Sequence, residues 1–216
     1  MDKPGNKTPP DALLLLGTHC PHCPTVLNAL SAMVKAGTIG TLRAVNIEQR
    51  PDIAQELGIR SVPWVRIGPF ELEGLRSEKE LRDWSEKAGT TAGLVAWLEE
   101  LLSTGKITRA LALVNSEPDA LEALLQLFTG TETPLNTRIG ISAIMEDLAG
   151  TDRLRGLVGR LGELTRHEEA RIRGDACHYL ELAGDPAAVA YLKPRLEDPD
   201  TAVREVAQEA LQRLQG

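Results

Sequence analysis

The spacing of apolar residues changes character partway along the chain. Up to about residue 88 it alternates between short runs and helical stripes. Ala12 to Leu16 is a continuous apolar run, which suits a strand buried on both faces of a parallel sheet. From Pro24, apolar residues recur as Val26, Leu27, Leu30, Met33 and Val34, and Gly37 follows as a C-cap; this spacing predicts a helix. Leu42 to Ile47 reads as a second strand and Pro51 opens a short helix ending near Leu57-Gly58. Trp64 to Ile67 and Phe70 to Glu73 flank a Gly68-Pro69 turn and read as a hairpin. A polar helix follows, with Leu81 and Trp84 on its inner side and Ser77 and Glu80 in a capping-box pattern.

After Gly89-Thr90-Thr91-Ala92-Gly93 the strand signals cease. Eight helical stripes follow, from Leu94, Val95 and Leu98 through a fourth at Ile139, Ala143, Ile144 and Leu148 to a last at Val203, Val206, Ala207 and Ala210. Breakers at Gly105, Pro118, Pro134, Gly150, Gly184-Asp185-Pro186 and Asp198-Pro199-Asp200 separate them. Pair starts recur near Pro118, Asp152 and Pro186. Arg138 before Ile139, Arg173 after Ile172 and Arg204 after Val203 fall at comparable places, a pattern of repeated helix hairpins. The expected organisation is a leader over 1–10, an α/β domain over 11–88, a linker over 89–93 and an all-α repeat domain of about four helix pairs over 94–216.

Charge sharpens this division. Net charge is −7, and residues 1–90 are neutral, with eleven acidic and eleven basic side chains. All the excess negative charge lies in residues 91–216, a field that repels nucleic acid and anionic membrane. The polar start of the chain does not read as a signal peptide, and no apolar run approaches the ~20 residues of a membrane span. The expected compartment is the cytosol, where paired cysteines are more often catalytic or metal-binding than structural.

The candidate chemistry lies at Cys20-Pro21-His22-Cys23, between the first strand and the first helix. Two residues between thiols let the sulfurs meet across the first helical turn. At a helix N-terminus, free N–H groups and the helix dipole stabilise a thiolate. Cys20 is then the nucleophile and Cys23 the resolving thiol. The alternative is a metal site using His19, Cys20, His22 and Cys23; a structural zinc site wants four ligands, and the third cysteine, Cys177, is far along the chain. Cys177 falls on the apolar side of its helix and reads as a buried structural thiol.

The order βαβαββα with a CxxC opening the first helix resembles the thioredoxin superfamily in its glutaredoxin-sized form. The resemblance covers about residues 11–88. Asn46-Ile47-Glu48-Gln49 before Pro51, and Gly58-Ile59-Arg60-Ser61-Val62-Pro63, carry it further. It implies a four-stranded mixed sheet, a cis Pro63 facing the cysteines, and a substrate chain held by the backbone of Val62. His19 stands where the family has an aromatic residue. Leu14 replaces the family's buried carboxylate and Ala44 its partnering lysine. The Pro-His dipeptide is similar to that of strongly oxidising bacterial disulfide oxidoreductases, so His22 is expected to tune the potential upward. The last helical unit, Asp198 through Leu214, resembles a HEAT repeat.

Together these readings describe a thiol–disulfide oxidoreductase with no cofactor and no metal. It acts on a protein disulfide or dithiol, and its HEAT-like array binds a protein partner. The alternatives are a redox-switched binding scaffold with little turnover and a metal-binding module at the cysteines.

Overall fold

The computed structural model describes residues 8–215. Four strands, β1 (Ala12–Leu16), β2 (Leu42–Asn46), β3 (Trp64–Ile67) and β4 (Phe70–Glu73), form one mixed sheet in the order β2-β1-β3-β4. β1 pairs parallel with β2, Leu14 opposite Ala44, and antiparallel with β3, Leu14 opposite Val65. The apolar run of β1 is central, as its continuous hydrophobicity requires: Leu14 and Leu15 are fully buried on opposite faces. A parallel β1–β2 pair needs a crossover, and helix α1 (Cys23–Lys35) supplies it, burying Val26, Ala29, Leu30 and Met33 at helical spacing. The short helix α2 (Pro51–Glu56) sets Ile53 and Ala54 with Leu13, Leu15, Val45, Ile59 and Trp64 in a separate core cluster.

Helix α3 (Glu78–Lys87) begins with the expected capping box. The Glu80 N–H donates to Ser77 Oγ and the Ser77 N–H to Glu80 Oε2. Leu81 is buried, whereas Trp84 is only half-buried; Ser85 is buried beside Leu81 and donates to the Thr38 carbonyl at 2.8 Å. After three intervening residues α4 (Thr91–Ser103) starts, so Thr91 to Gly93 are helical. Trp97 of α4 packs edge-on against both Phe70 and Trp84.

The remaining helices are α5 (Ile107–Ser116), α6 (Ala120–Thr129), α7 (Leu135–Asp147), α8 (Asp152–Arg155), α9 (Val158–Leu164), α10 (Ala170–Ala183), α11 (Val189–Leu192) and α12 (Thr201–Gln215). Two tight 3₁₀ turns, Pro186–Ala188 and Lys193–Glu197, flank α11. The apolar stripe Val189, Leu192 and Leu196, which reads in the sequence as one helix, is therefore one short helix between two 3₁₀ turns, and Leu196 is exposed. The fourth stripe is also shifted. α7 buries Thr137, Gly140, Ile141, Ile144 and Met145, while Ile139 is 59% exposed. Hydrophobic pattern favoured Ile139; the buried seam instead runs through the small Gly140, where a Cβ would come 2.7 Å from Leu102.

The contacts form two compact units. Among the described residues, one holds 8–98 together with Leu113–Ala123; the other holds Glu99–Ala112 and 124–215. In the second unit the largest helix contact is between α10 and α12. Their matching arginines do matching work. Arg173 Nη1 donates to the His167 and Glu168 carbonyls, and Arg204 Nη1 to the Asp198 and Pro199 carbonyls. Each arginine thus ties down the turn that leads into its own helix. Arg173 also forks onto Asp198, with Nε and Nη2 at 2.9 and 2.7 Å from the two carboxylate oxygens. Hydrogen bonds from Arg173, chiefly, hold the Asp198 carboxyl below its ordinary range.

Candidate active site

The end of β1 delivers the chain into the turn that carries the cysteines. Cys20 and Cys23 pair as a disulfide, with Cα atoms 5.4 Å apart. Cys23 occupies the first helical position and is buried; Cys20 precedes the N-cap residue, His22, and is half-buried. Cys20 was expected at the helix N-terminus; it lies in the turn just before it. Pro24 at the start of α1 sets this limit, because its ring fixes φ for the first turn and it has no N–H to donate. The turn is closed by weak backbone bonds, from the Cys20 N–H to the Gly17 carbonyl and from the Cys23 N–H to the Cys20 carbonyl, each at 3.4 Å.

Across from the turn, the Val62–Pro63 peptide bond is cis, as the resemblance implies. Pro63 is buried, and the Val62 carbonyl oxygen lies 3.7 Å from Cys20 Sγ. Cys20, Val62 and Pro63 are therefore brought together. His19 and His22 are both exposed on the rim. Leu14, in the middle of β1, is fully buried and Ala44 is exposed, so these two positions supply no carboxylate–lysine pair.

A further contributor comes from the turn after β2. Glu48 Oε1 accepts the Thr18 N–H at 2.7 Å. Asn46 Nδ2 donates to Thr18 Oγ1 at 3.0 Å, and Asn46 Oδ1 accepts the Glu48 N–H. Hydrogen bonds from Thr18, from its hydroxyl and then its backbone, hold the Glu48 carboxyl below its ordinary value. In the sequence, Asn46 and Glu48 stand out only as part of the thioredoxin-like pattern. The cue to their role was the run of polar, turn-forming residues after an apolar strand.

Chemically, the half-buried sulfur of Cys20 can meet a partner sulfur, while the buried sulfur of Cys23 can meet only Cys20. Among the described residues, no three His, Cys, Asp or Glu side chains converge as a metal site. Cys177 is fully buried in α10, where desolvation pushes its thiol up to about 12. No helix among the described residues is long and apolar enough to cross a membrane.

A family model described as thioredoxin domain matches residues 12–86, and one described as HEAT repeats matches residues 141–212. No curated protein matches the chain. Both matches agree with what was read from the residues, the second over α7 to α12 alone. The chain joins a thioredoxin-like domain, of a fold used for thiol redox chemistry, to HEAT repeats, a kind of repeat that generally mediates protein–protein interaction.

Proposed function

We propose that the protein is a thiol–disulfide oxidoreductase working through the Cys20/Cys23 couple. The observation that carries this reading is the asymmetry of the pair: Cys20 is accessible and faces the Val62 carbonyl, and Cys23 is buried behind it. In the reducing direction, the Cys20 thiolate attacks one sulfur of a substrate disulfide. A Cys20–substrate disulfide forms and the other substrate sulfur leaves as a thiolate. Cys23 then loses its proton and attacks Cys20 Sγ, forming Cys20–Cys23 and releasing the second substrate thiolate. The substrate gains two electrons, and two protons from solvent. The oxidising direction is the reverse.

In this reading Val62 and Pro63 hold the substrate chain beside Cys20, and His19 lines the approach. His22 stabilises the thiolate and makes the disulfide easier to reduce. The HEAT-like array binds the protein client or a partner that presents it, in the cytosol. The division into a redox domain over 11–88, a linker over 89–93 and an array over 94–216 is a proposal of the same kind, although α4 already begins at Thr91.

The test is equilibration of the full chain with glutathione buffers. The expected result is a reversible Cys20–Cys23 disulfide with a potential near or above the roughly −200 to −230 mV of glutaredoxins. Exchange should fall to background in Cys20→Ser. A couple that equilibrates but does not turn over disulfides would instead support a redox-switched scaffold, the reading favoured by Leu14 in place of a buried carboxylate. A pair that never forms the disulfide defeats both.

A further inference from the structure

The turn that presents Cys20 is held from one side by a single acidic residue. Thr18 stands between β1 and Cys20, and its backbone N–H is donated to Glu48. Gly17 shows how tight this corner is. A Cβ placed on it would stand 3.3 Å from Glu48 Oε1, 3.3 Å from Val62 Cγ2 and 3.9 Å from Cys20 Cβ. The carboxylate, the substrate-holding segment and the proposed nucleophile therefore converge on one point, where a side chain in place of Gly17 would press on Glu48 and Val62.

The surrounding groups are few. His19 and His22 lie on the Cys20 loop, Cys23 opens α1, and the Val62 segment offers a carbonyl, with Arg60 two residues ahead of it. Asn46 anchors Thr18 and orients the Glu48 backbone without carrying charge. Glu48 is the acidic group this corner contains.

We propose that Glu48 is a positioning residue for Cys20, fixing the Gly17–His19 turn against Val62 and setting a negative charge beside the reacting sulfur. This rests on the redox reading of the cysteine pair. Two separable effects follow. The hydrogen bond to Thr18 keeps Cys20 at the Val62 carbonyl. The charge opposes the Cys20 thiolate, countering the two histidines, since like charges disfavour each other's ionised form. The mechanism is electrostatic and geometric and transfers no proton: Thr18 holds the carboxylate ionised, which makes it a poor base near neutrality.

The experiment uses the full chain in a Cys23→Ser background, where Cys20 is the accessible thiol and Cys177 is buried. Alkylation of Cys20 by iodoacetamide is followed against pH, with the labelled residue identified by peptide mass. Glu48→Gln keeps an acceptor for Thr18 but removes the charge, and should move the midpoint of the profile down by about half a unit. Glu48→Asp, with the charge kept, should leave the midpoint near that of the parent. In the chain with both cysteines, Glu48→Ala should slow disulfide exchange several-fold, and Glu48→Gln should restore most of it near neutral pH. Unmoved profiles and unchanged exchange in all three variants would overturn the proposal. The alkylation profile remains readable even if the parent shows no disulfide exchange, so failure of the redox reading and failure of the Glu48 role are told apart.

Discussion

Two turns in this protein are tied down by charged side chains, and they are tied for different ends. The Cys20 turn is held by Glu48, which is exposed, and by Asn46 at the sheet edge. The turn entering α12 is held by Arg173, which reaches a carboxylate, Asp198, that is 2% exposed. Water screens the first contact, so it adds little stability but leaves the sulfur reachable. The second is desolvated, so Arg173 without its carboxylate is a buried charge, while Asp198 keeps a second partner in Arg195 at 3.2 Å. The same hydrogen-bond chemistry positions a reactive group in one place and locks a repeat in the other. Burial makes the difference.

The comparison can be broken at the locked turn first. Asp198→Ala strands the Arg173 guanidinium and should cost about 3 kcal/mol, read by urea denaturation. The acid limb should show the same group. Its folded-state carboxyl is held below 3.8, so its stabilisation is present above that pH and is lost as pH falls through the depressed value. The Asp198→Ala chain should lose that part of the acid dependence. A cost below 1 kcal/mol would show the pair to be no lock. Glu48→Gln should shift the Cys20 profile while hardly moving Tm.

A second prediction compares thiols. Cys177 has its folded-state value raised from 9.0 to about 12 by burial. An acid group raised on folding keeps its proton in the folded state after the unfolded chain has lost it. Stability therefore falls as pH rises above 9 toward 12. Cys177→Ala should flatten that alkaline slope, leaving the share owed to Tyr179, and should cost about 1 kcal/mol near neutral pH. Exchange at Cys20 should not change. Slower exchange would give Cys177 a role the buried reading denies.

The smallest effect is expected at Ile139 of α7. Ile139→Lys replaces an exposed side chain and should change stability by less than about 0.5 kcal/mol. Ile141→Ala, two residues on and 1% exposed, should cost about 3 kcal/mol. If Ile139→Lys slows exchange with a protein client but not with a small disulfide, the exposed face of α7 belongs to the client-binding surface.

Much of the sheet was legible because its signals are local. The β1 run, the Ser77 capping box and the Gly68-Pro69 turn each specify their geometry within a few residues. The helical region was less legible at the level of faces. Ile139 is apolar and exposed, and Gly140 is buried because α7 meets Leu102 there, a contact between residues far apart in sequence. The Arg173 and Arg204 pattern could be seen as a repeat, but its work could not, since Asp198 lies 25 residues from Arg173. At the candidate site, Cys20, Cys23 and Pro63 could be picked out by spacing and resemblance, whereas Glu48 could not, because its partner Thr18 is 30 residues away.

What the chain's residues determined by themselves was the order βαβαββα, the change to helical hairpins, and the place of the cysteine pair. Those follow from hydrophobic period, breakers and turn chemistry, which act over one or two turns of chain. What only the tertiary structure decided was which carboxylate stands against the Cys20 turn and which helix faces are covered. Those depend on what packs against a side chain from distant sequence, and desolvation and close approach are set there.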